Sequence, residues 1–352
     1  MATLAQAIRM ALHYGEEYLG VTDVFGEDVG PPLGGAFTVT QGLKTAWNSP
    51  LDERGIVGCL WGLGLAGQRA VAEIQFCDYI FNAVDLLKLI GNNRWSSDGQ
   101  WEVPVVLMTP TGAGIHGSIY HSHSFDSIMS HIQGWKIVMP STPYDAYGLM
   151  LSAIQDPNPV MYMIPKSLMR FDDGTKLPGE PEDLKVLNEM IGSPVRGEFK
   201  GDWKPNWPKI GTVDVPIGKA KILSEGSNAT LITYGRMVHV AKSAIEKVAE
   251  KGVVELIDLR TLYPYDSTTI FASVRKTGRV LILSEDSEVT NFGEHILRRI
   301  VEECFYSLKV KPIFMGGANV PGVGLAEPLE EATIPQVEHV AEALKELLEE
   351  AE

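Results

Sequence analysis

The apolar segment ATLITYG (229–235) is the first of four similar runs in the last third of the chain. The other three are VVELIDL (253–259), RVLILS (279–284) and VKPIFM (310–315). Short continuous apolar runs predict buried strands, and the residues between them recur at helical spacing. Strands that alternate with helices indicate a parallel sheet with right-handed crossovers. We therefore expect one α/β domain over residues 215–352.

The first two hundred residues follow the same alternation, which predicts a second α/β domain over residues 1–200. Its strand candidates are AVAEIQF (70–76), VPVVLMT (103–109), WKIVMPS (135–141) and PVMYMIP (159–165). Between the two domains, residues 171–214 are rich in Pro, Gly and charge and carry two tryptophans. This connecting excursion is long for a plain linker. An active-site lid, a partner-contact loop and a surface segment without a role all stay open.

Composition limits the class of protein. A length of 352 residues corresponds to about two domains at roughly 150 residues each. Acidic side chains outnumber basic ones by 45 to 30, which gives a formal net charge of −15 and argues against a nucleic-acid partner. No uncharged apolar run reaches the roughly 20 residues of a membrane helix. Three scattered cysteines are too few for a disulfide framework, so we expect a cytoplasmic protein.

Several polar residues lie where α/β proteins place chemistry. Ser49 is predicted to cap a helix, and Glu53 falls in its first turn, where the helix dipole favours an acid. Gln75, Asp78 and Tyr79 follow the strand AVAEIQF, at the end of a sheet where ligands bind. Each of these positions also has a purely structural explanation, as a helix-end acid or as packed residues.

The Gly-rich stretch TPTGAGIHGSIYHSHS (109–124) carries His116, His121 and His123. Imidazole is a common metal ligand, but no acid or cysteine stands at metal spacing beside these histidines. A general acid/base histidine on a loop is therefore favoured over a zinc site. The acidic turn GEDVG (26–30) says little by itself.

The sequence lacks the motifs that anchor phosphate groups. GLGLAG (62–67) has the spacing of a dinucleotide-binding loop but falls in a helical stretch. A Walker loop, and a Gly-Asp-Gly motif followed by paired asparagines for diphosphate and magnesium, are both missing. The two α/β domains thus carry candidate catalytic acids and histidines but no motif that binds phosphate. This combination predicts that the chain supplies only half of an active site.

Taken together, these residues resemble the β subunit of the thiamin-diphosphate-dependent 2-oxo acid dehydrogenases of the pyruvate and branched-chain type, in the transketolase-like superfamily. The resemblance extends over nearly the whole chain. Its main segments are GEDVG (26–30), SPLDERGIVGCLWGLGLAG (49–67), AEIQFCDYIFNAVD (72–85), YHSHS (120–124), GWKIVMPSTPYDAYGL (134–149), DLRTLYPYD (258–266) and KTGRVLILSED (276–286). It implies a thiamin-diphosphate-binding pyrimidine domain followed by a transketolase C-terminal-like domain, both α/β with mainly parallel sheets.

The resemblance also implies roles for individual residues. Glu53 matches the glutamate that bonds the pyrimidine ring nitrogen of thiamin diphosphate and so promotes deprotonation of the thiazolium carbon. Tyr79 matches the aromatic residue on the pyrimidine ring, and Gln75 a neighbouring pocket residue. His121 matches the active-site histidine near the thiazolium, which positions or protonates the substrate during acyl transfer to lipoamide. The family also commonly holds potassium through backbone carbonyls, here those of Val105, Ala153, Asp156 and Asn158.

The resemblance also implies partner proteins that would supply the other half of the active site. In this family the α subunit carries the magnesium and diphosphate motif, and the cofactor lies across the contact of an α2β2 heterotetramer. The assembly decarboxylates a small 2-oxo acid and passes the acyl group to a lipoyl arm of the acyltransferase core, which it meets through a subunit-binding domain. The acidic end (345–352) fits either a contact with a basic subunit-binding domain or an idle tail. Whether the acid is pyruvate or branched-chain stays open.

Two alternative functions remain at this stage. One is a transketolase or deoxyxylulose-phosphate-synthase-type half enzyme, which would ordinarily keep the diphosphate motif in the same chain. The other is a non-catalytic scaffold subunit, against which the joint presence of Glu53, Tyr79 and His121 argues. The chain departs from the family at His123, where relatives usually have glutamine, and in the length of the 171–214 excursion.

Overall fold

A computed structural model describes residues 1–192 and 203–351. The predicted excursion over 171–214 is therefore described only in part, since residues 193–202 lie outside the described residues. The chain forms two compact units. The first comprises residues 1–110, 132–164 and 168–217, and the second comprises residues 111–131, 165–167 and 218–352. The domain boundaries expected from the sequence stay a prediction.

The described residues form the following helices, in chain order: α1 (Leu4–Tyr18), α2 (Glu53–Leu65), α3 (Val84–Ser96), α4 (Ser118–His121), α5 (Asp126–Ser130), α6 (Pro143–Gln155), α7 (Leu184–Ile191), α8 (Met237–Val248), α9 (Ser267–Thr277), α10 (Phe292–Cys304), α11 (Glu327–Thr333) and α12 (Val337–Glu349). Short 3-10 turns include Ala36–Thr38 and Cys77–Ala83. None of these helices is long and apolar enough to cross a membrane.

The strands, in chain order, are β1 (Val21–Gly26), β2 (Ala46–Asn48), β3 (Arg69–Glu73), β4 (Val105–Thr111), β5 (Lys136–Val138), β6 (Val160–Pro165), β7 (Lys221–Ser224), β8 (Ala229–Thr233), β9 (Val254–Asp258), β10 (Thr261–Tyr263), β11 (Val280–Ser287) and β12 (Ile313–Gly317). Each of the eight apolar runs singled out in the sequence overlaps a strand, which confirms the α/β class. The sequence reasoning missed β1, β2, β7 and β10.

Six strands of the first unit lie in the order β5-β6-β4-β3-β1-β2. Strand β1 pairs in parallel with β2 and with β3, and β3 pairs in parallel with β4. The register places Gly26 of β1 opposite Glu73 of β3. The chain therefore leaves both strands side by side at the carboxyl edge of the sheet, where open α/β sheets bind ligands.

Helices α1 and α6 pack together against this sheet, and their apolar faces share one core cluster. Thr142 caps α6, its side chain accepting from the Asp145 amide, and Pro143 occupies the first turn. Proline is favoured at that position because it loses no intrahelical hydrogen bond there.

The predicted cap of α2 is wrong. Asp52 rather than Ser49 precedes the helix, and it makes no side-chain capping bond. Ser49 instead prolongs β2, since its amide donates to the Gly26 carbonyl at 2.7 Å. Glu53 nevertheless begins the helix and lies in its first turn, as predicted.

The second unit is built on a sheet with the strand order β12-β11-β8-β9-β7. Strands β8, β9, β11 and β12 pair in parallel, whereas the edge strand β7 runs antiparallel to β9. Helices α8 and α12 cover the sheet through a common apolar cluster. The parallel sheet inferred from the sequence is confirmed, with one antiparallel edge strand added.

Candidate active site

Glu53 is the first residue of α2 and is half-buried. Its Oε2 accepts a hydrogen bond from Asn82 Nδ2 at 3.1 Å. Its Oε1 has no hydrogen-bond partner among the described residues. A carboxylate in the first turn is stabilised by the positive end of the helix dipole. Glu53 is therefore held from one side and keeps one oxygen for a ligand.

Glu53 belongs to a cluster of acids that follows the ends of β1 and β3. Partial burial, and then the charges of Asp28 and Glu53, raise the pKa of Glu27. Gln75 Nε2 donates to Asp28 Oδ2 at 2.9 Å. Charges that raise the pKa of Glu27 lie close enough to repel its carboxylate. The fold thus brings Glu53 and Gln75 to the same cluster of acids.

Tyr79 lies in the 3-10 turn Cys77–Ala83 beside the same acids. Its pKa is raised by burial first, and then by the charges of Asp78, Glu27 and Glu53. The tyrosine is half-buried. An aromatic ring next to carboxylates offers a ligand an apolar face together with hydrogen-bond acceptors.

Glu73, the last residue of β3, is the acid that sequence reasoning missed. It is 2% exposed, and its Oε1 accepts from the Ala36 amide at 3.0 Å. Its Oε2 is buried without a hydrogen-bond partner in the described chain. Burial raises the pKa of Glu73 to about 7, opposed by the Ala36 amide and aided by the charge of Asp28. The sequence signal was an acid inside the apolar run AVAEIQF.

The donor set of this cluster fits one end of thiamin diphosphate. Carboxylates, a glutamine amide and a tyrosine ring suit an aminopyrimidine, whose ring nitrogens and amino group exchange hydrogen bonds. Within the described residues, no lysine or arginine pairs with Glu27, Asp28 or Glu53. A diphosphate requires cations, a metal or a cradle of amide groups. The cluster is suited to the ring and not to the charged tail.

His121 lies in the second unit, at the end of the short helix α4, and is half-buried. The loop that leads to it contains two non-glycine residues with left-handed backbone, His116 at φ 55° and Ser118 at φ 56°. Such conformations cost free energy and persist only where the surroundings impose them.

Two glutamates, the half-buried Glu285 and the buried Glu330, hold this loop through its backbone amides. Glu285, at the end of β11, accepts from the Ala113 amide at 2.7 Å, and Arg236 lies 3.7 Å away. Glu330 accepts from the Gly114 amide at 2.6 Å and pairs with His116 Nδ1 at 2.7 Å. Sequence reasoning missed both residues. The only signal was the acid that directly follows the apolar run RVLILS.

His123 has a separate environment. Its ring stacks on Phe125, with centroids 4.6 Å apart. Both residues line a cavity of about 220 Å³ in the second unit, together with Asp286 and Val323. The three histidines of the loop therefore make different contacts, and the described residues contain no group of His, Cys, Asp and Glu arranged for a metal ion.

The four residues named for potassium lie at one end of the first unit. Val105 begins β4, Ala153 is in the last turn of α6, and Asp156 follows that helix. Asp156 Oδ1 accepts from the amide and the side chain of Asn158 at 2.9 and 2.8 Å, and Oδ2 pairs with Lys136. Whether the backbone carbonyls bind potassium stays a prediction.

Comparison with known proteins defines the class. Residues 2–172 match the family "Transketolase, pyrimidine binding domain", and residues 218–340 match "Transketolase, C-terminal domain". In fold, the chain is similar to a solved structure described as a split gene transketolase, inactive beta4 tetramer. The TM-score is 0.70, with 18% identity over 99% of both chains.

Relatives that align over nearly the whole chain define the family within this class. The 2-oxoisovalerate dehydrogenase subunit beta of Bacillus subtilis is 33% identical over 97% of both chains. That of Pseudomonas aeruginosa is 35% identical over 99% of this chain and 95% of the relative. The pyruvate dehydrogenase E1 component subunit beta of Acholeplasma laidlawii is 34% identical over 98% of this chain and 97% of the relative. The chain belongs to the family of 2-oxo acid dehydrogenase E1 β subunits, which is favoured over a transketolase-type half enzyme.

Proposed function

We propose that this chain, together with an α subunit, decarboxylates a 2-oxo acid on thiamin diphosphate and transfers the acyl group to a lipoyl arm. The observation that carries the proposal is the Glu53 carboxylate, which has a free oxygen among acids and beside Tyr79. The family supplies the reaction class. When bound, the cofactor provides the carbanion chemistry, and the protein provides orientation and electrostatics.

In the proposed reaction, each site residue of this chain has its own role. Glu53 holds a proton against a pyrimidine ring nitrogen through the carboxylate oxygen that Asn82 leaves free. Tyr79 packs on the pyrimidine ring, and Gln75 lines the pocket while it restrains Asp28. His121 positions or protonates the substrate, on a loop that Glu285 and Glu330 hold in place.

Because no lysine or arginine of the described residues pairs with Glu27, Asp28 or Glu53, we assign the diphosphate to a partner subunit. An α subunit would hold Mg²⁺ and the diphosphate, so that the active site is completed in an α2β2 assembly. The acyltransferase core, met through its subunit-binding domain, would accept the acyl group. Both pyruvate and branched-chain acids fit the proposal, since relatives of both kinds are similar to this chain. A reducing cytoplasm is the proposed compartment, with which three free cysteines agree.

A potassium ion held by the carbonyls of Val105, Ala153, Asp156 and Asn158 is a further part of the proposal. A bound ion stabilises the folded state by mass action. We expect KCl to raise the melting temperature of the chain saturably above that in NaCl at equal ionic strength. Equal melting temperatures in the two salts would remove potassium from the proposal.

The reaction is tested by turnover of the complex reconstituted with its α subunit. Pyruvate and the branched-chain 2-oxo acids are supplied in parallel with thiamin diphosphate, Mg²⁺ and a lipoyl domain. Release of CO₂ and acylation of the lipoyl group on at least one acid are expected. An assembled complex that decarboxylates none of these acids would contradict the proposal, and a scaffold role would then be favoured.

A further inference from the structure

A cavity of about 530 Å³ lies in the first unit, beside α1, the 3-10 turn Ala36–Thr38 and α7. Its lining includes two arginines and several uncharged polar side chains: Arg9, Arg170, Thr38, Gln41, Gln6 and Asn188. No acidic residue is among the described residues that line it. The cavity is therefore positive in a chain with a net charge of −15.

Arg9 is the central group of this cavity. It projects from α1 and is 4% exposed. Its Nη2 donates to Thr38 Oγ1 at 2.6 Å, and its Nη1 donates to the Ile191 carbonyl at 2.7 Å and to Gln41 Oε1 at 3.3 Å. All of these acceptors are uncharged, and Nε is buried without a partner in the described residues.

A buried guanidinium without a carboxylate partner is unusual, because arginines are almost never fully buried unless paired. Removing a charge from water is unfavourable unless an opposite charge offsets the loss. Burial lowers the pKa of Arg9 to about 10, and no acid opposes this shift. The folded chain thus retains an uncompensated cation and an unused N–H donor at a cavity.

Arg170 supplies a second cation at the same cavity, and its side chain is exposed. Two guanidinium groups, one fixed by hydrogen bonds and one exposed at the cavity, are a suitable pair for an oxyanion. The planar fork of arginine matches carboxylate and phosphate oxygens, often through two parallel hydrogen bonds.

We propose that this cavity binds a small oxyanionic metabolite, whose carboxylate or phosphate group pairs with Arg9 and is closed over by Arg170. The site is separate from the acid cluster around Glu53, which repels anions. It does not depend on the proposed decarboxylase function, since neither the α subunit nor thiamin diphosphate takes part.

The test is thermal unfolding of the full chain in rising sodium phosphate or sodium acetate, with sodium chloride holding the ionic strength constant. A saturable rise in melting temperature is expected with at least one of the two oxyanions, and the two series distinguish phosphate from carboxylate as the preferred group. Arg9→Gln should abolish the rise, and Arg170→Gln should weaken the apparent affinity about tenfold. Arg298→Gln, an exposed arginine of α10 in the second unit, should leave the affinity unchanged.

Arg170→Gln keeps the proposal testable if the Arg9 variant fails to fold, because Arg170 is exposed. A rise of the same size in the wild type and in the Arg170→Gln variant would be a general salt effect and would overturn the proposal. The absence of any saturable rise with both phosphate and acetate would overturn it equally.

Discussion

Asn82 Nδ2 donates a hydrogen bond to Glu53 Oε2 at 3.1 Å, and this bond joins the 3-10 turn after β3 to the first turn of α2. Asn82 and Glu53 are 29 residues apart. The bond fixes one carboxylate oxygen of Glu53 and leaves the other for a ligand. Asn82 is therefore a positioning residue for the acid on which the proposed function depends.

Glu53→Gln in the complex with the α subunit should lower the decarboxylation rate by about 10²–10⁴, the usual contribution of a positioned proton-transfer group. The amide keeps the size of the side chain but cannot carry the proton. Assembly, measured by sedimentation, should be unchanged. Normal turnover by the assembled variant would contradict the role given to Glu53.

The substitution Asn82→Ala tests the positioning of the Glu53 carboxylate separately from its role in proton transfer. Loss of one partly solvated hydrogen bond costs about 0.5–1.5 kcal/mol, so we expect the rate to fall only about three- to tenfold. Steady-state assays of the same complex measure this. A loss as large as that of Glu53→Gln would mean that Asn82 does more than orient the carboxylate.

Glu73 should make stability depend on pH. Its pKa is about 7 in the folded chain against an ordinary value of 4.5, so the folded state holds the proton more tightly than the unfolded state. The free energy of unfolding should fall as pH rises through this window. Glu73→Gln should make this slope shallower and be more stable than the wild type at pH 8, by at most about 3 kcal/mol.

Urea unfolding at pH 5 and pH 8 measures this effect of Glu73. The matched control is Glu189→Gln, at an exposed position of α7, which should keep the slope of the wild type. If the Glu73 variant also kept that slope, Glu73 would be ionised in the fold and the account of its burial would be wrong.

Glu330→Gln should loosen the loop that carries His121. The substitution removes the charge that faces the Gly114 amide and His116, and weakening these bonds costs about 1–3 kcal/mol. Hydrogen exchange at residues 113–118 should become faster and turnover should fall. Glu331→Gln, the exposed neighbour in α11, should alter neither. Unchanged exchange in the Glu330 variant would show that the loop is held by other contacts.

The strands that form the centre of each sheet could be predicted because they are buried on both faces and therefore apolar throughout. Strand β2 could not be predicted, since its three residues are half-buried or exposed and pair only with β1. Strand β7 lies at an edge and is likewise only partly buried. A short edge strand has no apolar pattern of its own.

The acids of the candidate site likewise differ in whether the sequence alone could reveal them. Glu53 could be found because its position in a first helical turn is a local signal. The contacts of Glu73 and Glu330 could not be predicted, because their partners are backbone amides 37 and 216 residues away in the sequence. Only the folded chain brings a buried carboxylate to such an amide. Arg9 was missed for the same reason, since its hydrogen-bond partners come from two distant segments, Thr38 with Gln41 and Ile191.

The most direct measurement of the central claim is calorimetric titration of thiamin diphosphate with Mg²⁺, first into this chain alone and then into the chain mixed with its α subunit. Within the part of the chain that the structure describes, the acid cluster offers acceptors for the pyrimidine and no cation for the diphosphate. The account therefore predicts saturable binding in the mixture and none by the isolated chain. Equal affinity in both titrations would contradict it, because this chain would then hold the whole cofactor unaided.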